Sequence, residues 1–248
     1  RGDLHPRKGK KQDNIAAGES QNELFAEIHR DLYENPSSAR ARAEEVLREG
    51  KTGDHITEIS MLKYIGSSYA FETNYSEAIK YYNEALKTAE ETELYLEIAN
   101  INNNLGVIYN EIGNYKNAYI HLIEALNNFD RANDYEKKTG AYNNIGLIYL
   151  NLKNYEKALD YFSRALYSDQ HPKDSILTVS VLNNMALCYM QKHQPDRSLE
   201  YLGQAIALSE KISNNYGLCI SYQLKGNLFL GLGDAAKAME AFTVSTGI

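Results

Sequence analysis

The chain repeats itself every forty residues and aligns with itself five times at that shift without a gap. Gly66, Gly106, Gly146, Ala186 and Gly226 share one column. Twelve residues on stand Ala78, Ala118, Ala158, Ser198 and Ala238, and seven further on Ala85, Ala125, Ala165, Ala205 and Ser245. All of these are small. An aromatic column (Tyr69, Tyr109, Tyr149, Tyr189, Phe229) and a column of large residues (Tyr82, Leu122, Phe162, Leu202, Phe242) run beside them. Self-similarity at this period means a string of like supersecondary units, none of which buries its apolar face alone.

The columns predict the unit. Small residues let two helices cross closely, and large residues three or four positions away fill the adjacent holes. Between the two halves lie "ETNYSEA", "EIGNYKNA", "NLKNYEKA", "KHQPDRS" and "GLGDAAKA", whose Gly, Asn, Asp or Pro mark a tight turn. Each unit is therefore a first helix (A), a turn and a second helix (B).

This pattern resembles the tetratricopeptide repeat. Leu105, Gly106, Tyr109, Ala118, Leu122 and Ala125 fit that motif's positions 7, 8, 11, 20, 24 and 27. Ile145, Gly146, Tyr149, Ala158, Phe162 and Ala165 fit them again. The period exceeds the usual one of about 34, which lengthens the helices. Position 4 is never Trp and position 32 never Pro. Long repeats of this sort are similar to those of kinesin light chains and of peptide-sensing regulators of Gram-positive bacteria. The resemblance implies an all-α, right-handed superhelical solenoid of stacked hairpins whose A helices line a concave groove, over residues 55 to 248. Residues 20–50 read as a worn extra hairpin, and the basic segment 1–19 as a disordered, solvated tail.

Composition narrows the chemistry. A formal charge of −7 argues against a nucleic-acid-binding body, and no apolar run reaches the length of a membrane span. Cys188 and Cys219 lie within apolar helical patterns and read as buried thiols. The six histidines show no metal spacing, and no glycine-rich phosphate loop follows a strand. Catalytic residues, metals and cofactors are accordingly expected to number none.

The stretches "NNLGVIY", "NNIGLIY" and "NNMALCY" carry the functional expectation. Asn is a poor helix-interior residue, yet it is paired three times at one spacing. At about 100° per residue, positions 4, 7, 8 and 11 of helix A face the core, so positions 2, 6, 9 and 13 face the groove. Position 6 holds Tyr64, Asn104, Asn144, Asn184 and Leu224, and no protein group is expected opposite it. Position 5, with Asn103, Asn143 and Asn183, lies near the neighbouring repeat and is expected to bond across the stack. A carboxamide offers both donor and acceptor, as a peptide backbone does. Asn104, Asn144 and Asn184 are therefore expected to hold an extended, mainly apolar peptide or protein segment, with Tyr64, Asn100, Val107, Leu147, Leu187, Asn151 and Asn227 completing the stripe. Similar asparagines grip peptide backbones in the families resembled.

The expected function is a peptide-binding scaffold, not an enzyme. The alternative is the sensory or dimerisation region of a bacterial histidine kinase or transcription factor whose output domain lies outside this chain. A cytoplasmic location is expected, with an extracytoplasmic domain of a bacterial membrane protein as the other placement. The last helix is expected to leave an apolar edge, met by further chain or by self-association.

Overall fold

The computed structural model describes residues 23–50, 53–167 and 175–247. The tail expected at 1–19 lies outside them. The described residues form twelve helices and no strand. They are α1 (23–34), α2 (Pro36–Arg48), α3 (His55–Phe71), α4 (Tyr75–Glu91), α5 (Tyr95–Glu111), α6 (Tyr115–Arg131), α7 (Tyr135–Asn151), α8 (Tyr155–Tyr167), α9 (Ile176–Gln191), α10 (Pro195–Lys211), α11 (Asn215–Gly231) and α12 (Ala235–Gly247). From α3 to α7 every helix has seventeen residues and every turn three, which accounts for the forty-residue period.

The turn residues set those lengths. Asn74, Asn114, Asn154 and Asp234 each accept the backbone N–H three residues on, at 3.1–3.4 Å. A side-chain oxygen there satisfies one of the orphan donors of a helix start. Gln194 makes no such bond; Pro195 follows it at the first helical position, where a missing N–H costs nothing. The residue before each cap is left-handed: Thr73, Gly113, Lys153, His193 and Gly233 have φ between +56° and +78°.

The small columns are crossing points. A Cβ on Gly106 would come within 2.5 Å of Leu122 Cγ, and one on Gly146 would overlap the Phe162 ring. Ala118, Ala125, Ala158, Ala165 and Ala205 are fully buried. The A helices are more completely buried than the motif positions imply. Position 3 (Met61, Ile101, Ala141, Val181, Ser221) and position 10 (Ser68, Ile108, Ile148, Cys188, Leu228) are buried in all five repeats. Within each unit an A helix is packed both by its own B helix and by the preceding hairpin, so its buried surface exceeds the single stripe of an amphipathic surface helix.

The chain divides between Glu97 and Ile98 into two compact units. In the first, Ile28, Leu32, Ala39, Ala43, Val46, Met61 and Ile65 form a core. The Arg40 guanidinium lies 4.3 Å from the Tyr69 ring centre and 2.6 Å from a Glu72 oxygen. In the second, α8 and α9 share a core of Ala158, Phe162, Ala165, Val181, Met185 and Cys188. Burial pushes the Cys188 thiol up to about 12, so it acts as an apolar filler.

The abundant tyrosines stack within repeats. Tyr69–Tyr81, Tyr109–His121, Tyr149–Tyr161 and Tyr189–Tyr201 lie 5.2–5.6 Å apart with rings within 15° of parallel. Each pair ties position 11 of helix A to a residue twelve further on in helix B. Lys157 and Arg197 cover the Tyr149 and Tyr189 rings, at 5.1 and 5.4 Å, an attraction of cation for ring face.

Candidate functional site

The paired asparagines form one interlocked row. Asn144 Nδ2 donates to Asn103 Oδ1 at 3.0 Å, and Asn184 Nδ2 donates to Asn143 Oδ1 at 3.1 Å. Asn183 Oδ1 accepts from Ser221 Oγ at 2.9 Å. Position 6 of one repeat therefore reaches back to position 5 of the repeat before it. This corrects the expectation that no protein group stands opposite position 6. A helical wheel shows which face a residue occupies, but the stagger between repeats decides which amides meet. A second rung was not anticipated: Asn151 Nδ2 donates to Asn110 Oδ1 at 3.1 Å. Its signal was present, because 110 and 151 have the same 41-residue offset as 103 and 144.

In two of the three pairs the members differ in exposure; Asn103 and Asn104 are both half-buried. Asn143 and Asn183 are buried, at 7% and 4% exposure, whereas Asn104, Asn144 and Asn184 are half-buried. Among the described residues the Oδ1 atoms of Asn144 and Asn184 accept no hydrogen bond. Each of these amides is thus held by one N–H, with an oxygen and a second N–H left over. Val107 is exposed, and Leu147 and Leu187 are half-buried, one turn further along the same helices. Asn151 and Asn227 are exposed.

Tyr64 has a different environment. Its ring lies 6.4 Å from Phe25 of α1, edge to face, and burial raises its phenol above the ordinary range. Phe71, at position 13 of the same helix, meets Tyr33 of α1 at 5.4 Å. In the first repeat, then, α1 packs on the stripe expected to face a ligand, and Tyr64 serves that packing.

Asn100 and Asn103 line a cavity of about 350 Å³ between the first halves of α5 and α7 and the start of α9. Phe129, Glu136, Lys137, Gly140, Ser175 and Leu177 complete it. Lys137 Nζ lies 3.7 Å from Asp134. Beneath the row, the Asn102 amide is anchored to the Ile98 carbonyl at 2.9 Å, and its oxygen meets His121 Nδ1 at 2.8 Å. Burial lowers the His121 pKa below the ordinary value; Glu124 opposes this weakly.

Among the described residues no three His, Cys, Asp or Glu side chains gather as a metal site. No helix there is long and apolar enough to cross a membrane.

The geometry so far defines a protein of stacked helical hairpins with one amide-bearing face. Tetratricopeptide repeat family models match residues 97–169 and 177–248, and a second such model matches 65–92. The chain belongs to the tetratricopeptide repeat family. No curated protein matches it. Among solved structures it is similar to BtubC (BKLC) from P. vanneervenii, with TM-score 0.66 and 20% identity over 92% of this chain and 87% of that one. The apo quorum sensor NprR from B. thuringiensis gives 0.72 and 15% over 95% and 70%. The Rap conjugation regulator of plasmid pLS20, in complex with the Phr* peptide, gives 0.69 and 13% over 88% and 70%. At these identities the likeness is one of fold.

Proposed function

We propose that this chain is a binding module, not an enzyme, and that it holds an extended peptide segment along the face bearing Asn104, Asn144 and Asn184. The observation that carries this is the half-used state of Asn144 and Asn184. One N–H of each is fixed by the preceding repeat, which orients the amide, and one oxygen has no partner among the described residues. An oriented amide loses little freedom on binding. Asn100, Val107, Leu147, Leu187, Asn151 and Asn227 supply the mixed apolar and amide surroundings. The occurrence of a peptide-bound Rap regulator among the similar structures agrees with this reading.

The test is calorimetric titration with peptides selected from a displayed dodecapeptide library. Each backbone-to-amide bond contributes about 0.5–1.5 kcal/mol net. The Asn104→Ala/Asn144→Ala/Asn184→Ala variant should therefore bind roughly ten- to two-thousand-fold more weakly while staying folded. Unchanged affinity would remove the reading.

A second reading, the sensory region of a bacterial regulator in the cytoplasm, draws on the likeness to the quorum sensor NprR. It requires an output domain in the same gene. Self-association through the last hairpin is a separate proposal. It draws on an open cavity of about 400 Å³ lined by Leu230, Ala238, Met239 and Phe242, and sedimentation across a concentration series would test it.

A further inference from the structure

The cavity beside Asn100 and Asn103 contains an absence that needs a reason. Position 140 is in the interior of α7, where glycine is among the poorest residues. At Gly106 and Gly146 a close helix crossing explains the glycine. At Gly140 a built Cβ meets nothing within 4 Å. The missing side chain leaves open the wall of a cavity of about 350 Å³. Phe129, only 2% exposed, and Leu177 are the large apolar residues at its lining. Asn103 belongs both to the cavity and to the amide row, where its oxygen takes the bond from Asn144.

We infer that this cavity is the anchor pocket of the peptide-binding face and takes one large apolar side chain of the bound segment, of leucine to phenylalanine size. The inference rests on the peptide reading above. The volume supports the commitment: a cavity of about 150 Å³ lined by apolar groups accepts a benzene. An open pocket of about 350 Å³ has room for a ring of that size. Asn100 and Asn103, at the polar side, stand where that backbone enters. The row of amides holds main chain at any sequence, and the pocket selects one residue of it. Glu136 is also at the pocket and forms no ion pair among the described residues, so an acidic anchor is disfavoured there.

The probe is a phage-displayed library of random dodecapeptides selected on the parent protein. Enriched peptides should share one Phe, Leu, Ile or Met. Replacing that residue by Ala in the synthetic peptide should weaken binding to the parent at least tenfold. Gly140→Leu fills the pocket from a position with free space. It should melt at or above the parent temperature and bind the same peptide at least tenfold more weakly. Gly140→Ala should melt higher and change affinity less than threefold. Peptides that bind equally well to Gly140→Leu, or that tolerate Ala at every apolar position, overturn the pocket while leaving the amide row intact. A library from which the parent enriches nothing overturns both.

Discussion

The third hairpin (α7–α8) and the fifth (α11–α12) share a register but not an environment. Phe162 of α8 is completely buried, because α9 packs over it. Phe242, its counterpart in α12, is only half-buried, and Met239 nearby is 71% exposed. Ala158 and Ala238 are both buried, since that column faces the hairpin's own A helix. The Tyr149–Tyr161 stack has no equivalent in the fifth hairpin, where Phe229 and Ala241 hold the corresponding positions. Asn144 is replaced by Leu224. The inner seam of a hairpin is thus a property of its own sequence, whereas its outer face is completed by the next hairpin. In such stacks, stability is a sum of unit and neighbour terms.

The largest expected effect would break this contrast at Phe162. Phe162→Ala should cost about 3–5 kcal/mol, as emptying a full core site does, and Phe242→Ala less than half of that. Urea denaturation of both variants decides it; equal losses would show that the next hairpin adds nothing. Overpacking the seam should affect both hairpins alike. Ala158→Leu and Ala238→Leu should each cost about 1–3 kcal/mol. A free substitution at either position would mean the crossing register is misassigned.

The amide bond between repeats should matter less. Asn144→Ala removes the bond to Asn103 and should cost about 0.5–1.5 kcal/mol, partly offset by alanine's better helix propensity. Leu224→Ala, at the same position without an amide, should show no such coupling in a double-mutant cycle with Asn183, the residue 41 before it. The smallest effect is pH-dependent and lies in the second hairpin, where His121 takes the place of Tyr161. With its folded pKa lowered by burial, His121 binds a proton less readily in the folded than in the unfolded chain. Its contribution is therefore complete above the ordinary value of about 6.5 and declines as pH falls below it toward the lowered value. His121→Tyr should flatten thermal stability across that window. A profile identical to the parent's would show that this site does not titrate differently on folding.

Much of the fold was legible because its determinants are local. The caps at Asn74, Asn114 and Asn154, the crossings at Gly106 and Gly146, and the family motif all lie within one repeat. The site was legible only in outline. Position 6 is off the core face of each A helix, where its residues are half-buried, but the partners of Asn144 and Asn184 depend on how far one repeat slips past the next. Tyr64 fits the same column as these asparagines, yet α1, outside the repeat pattern, packs over it. Gly140 shares position 2 of that stripe with Asn100. Its meaning depends on the space around it, which no one-dimensional pattern records.

The stacked aromatic pairs join residues only twelve apart in sequence, and the amide and hydroxyl bonds between repeats described above join residues 38 to 41 apart. Such contacts bring together only neighbouring repeats, so little loop entropy is lost before they form. A chain wired this way has no obligatory nucleus. Any hairpin serves as a starting point, and it can fold as it leaves the ribosome, one unit behind another. Unfolding reverses the order from whichever end is least supported. The fifth hairpin, with its outer face uncovered in this structure, should therefore be the first to exchange its amide hydrogens with water.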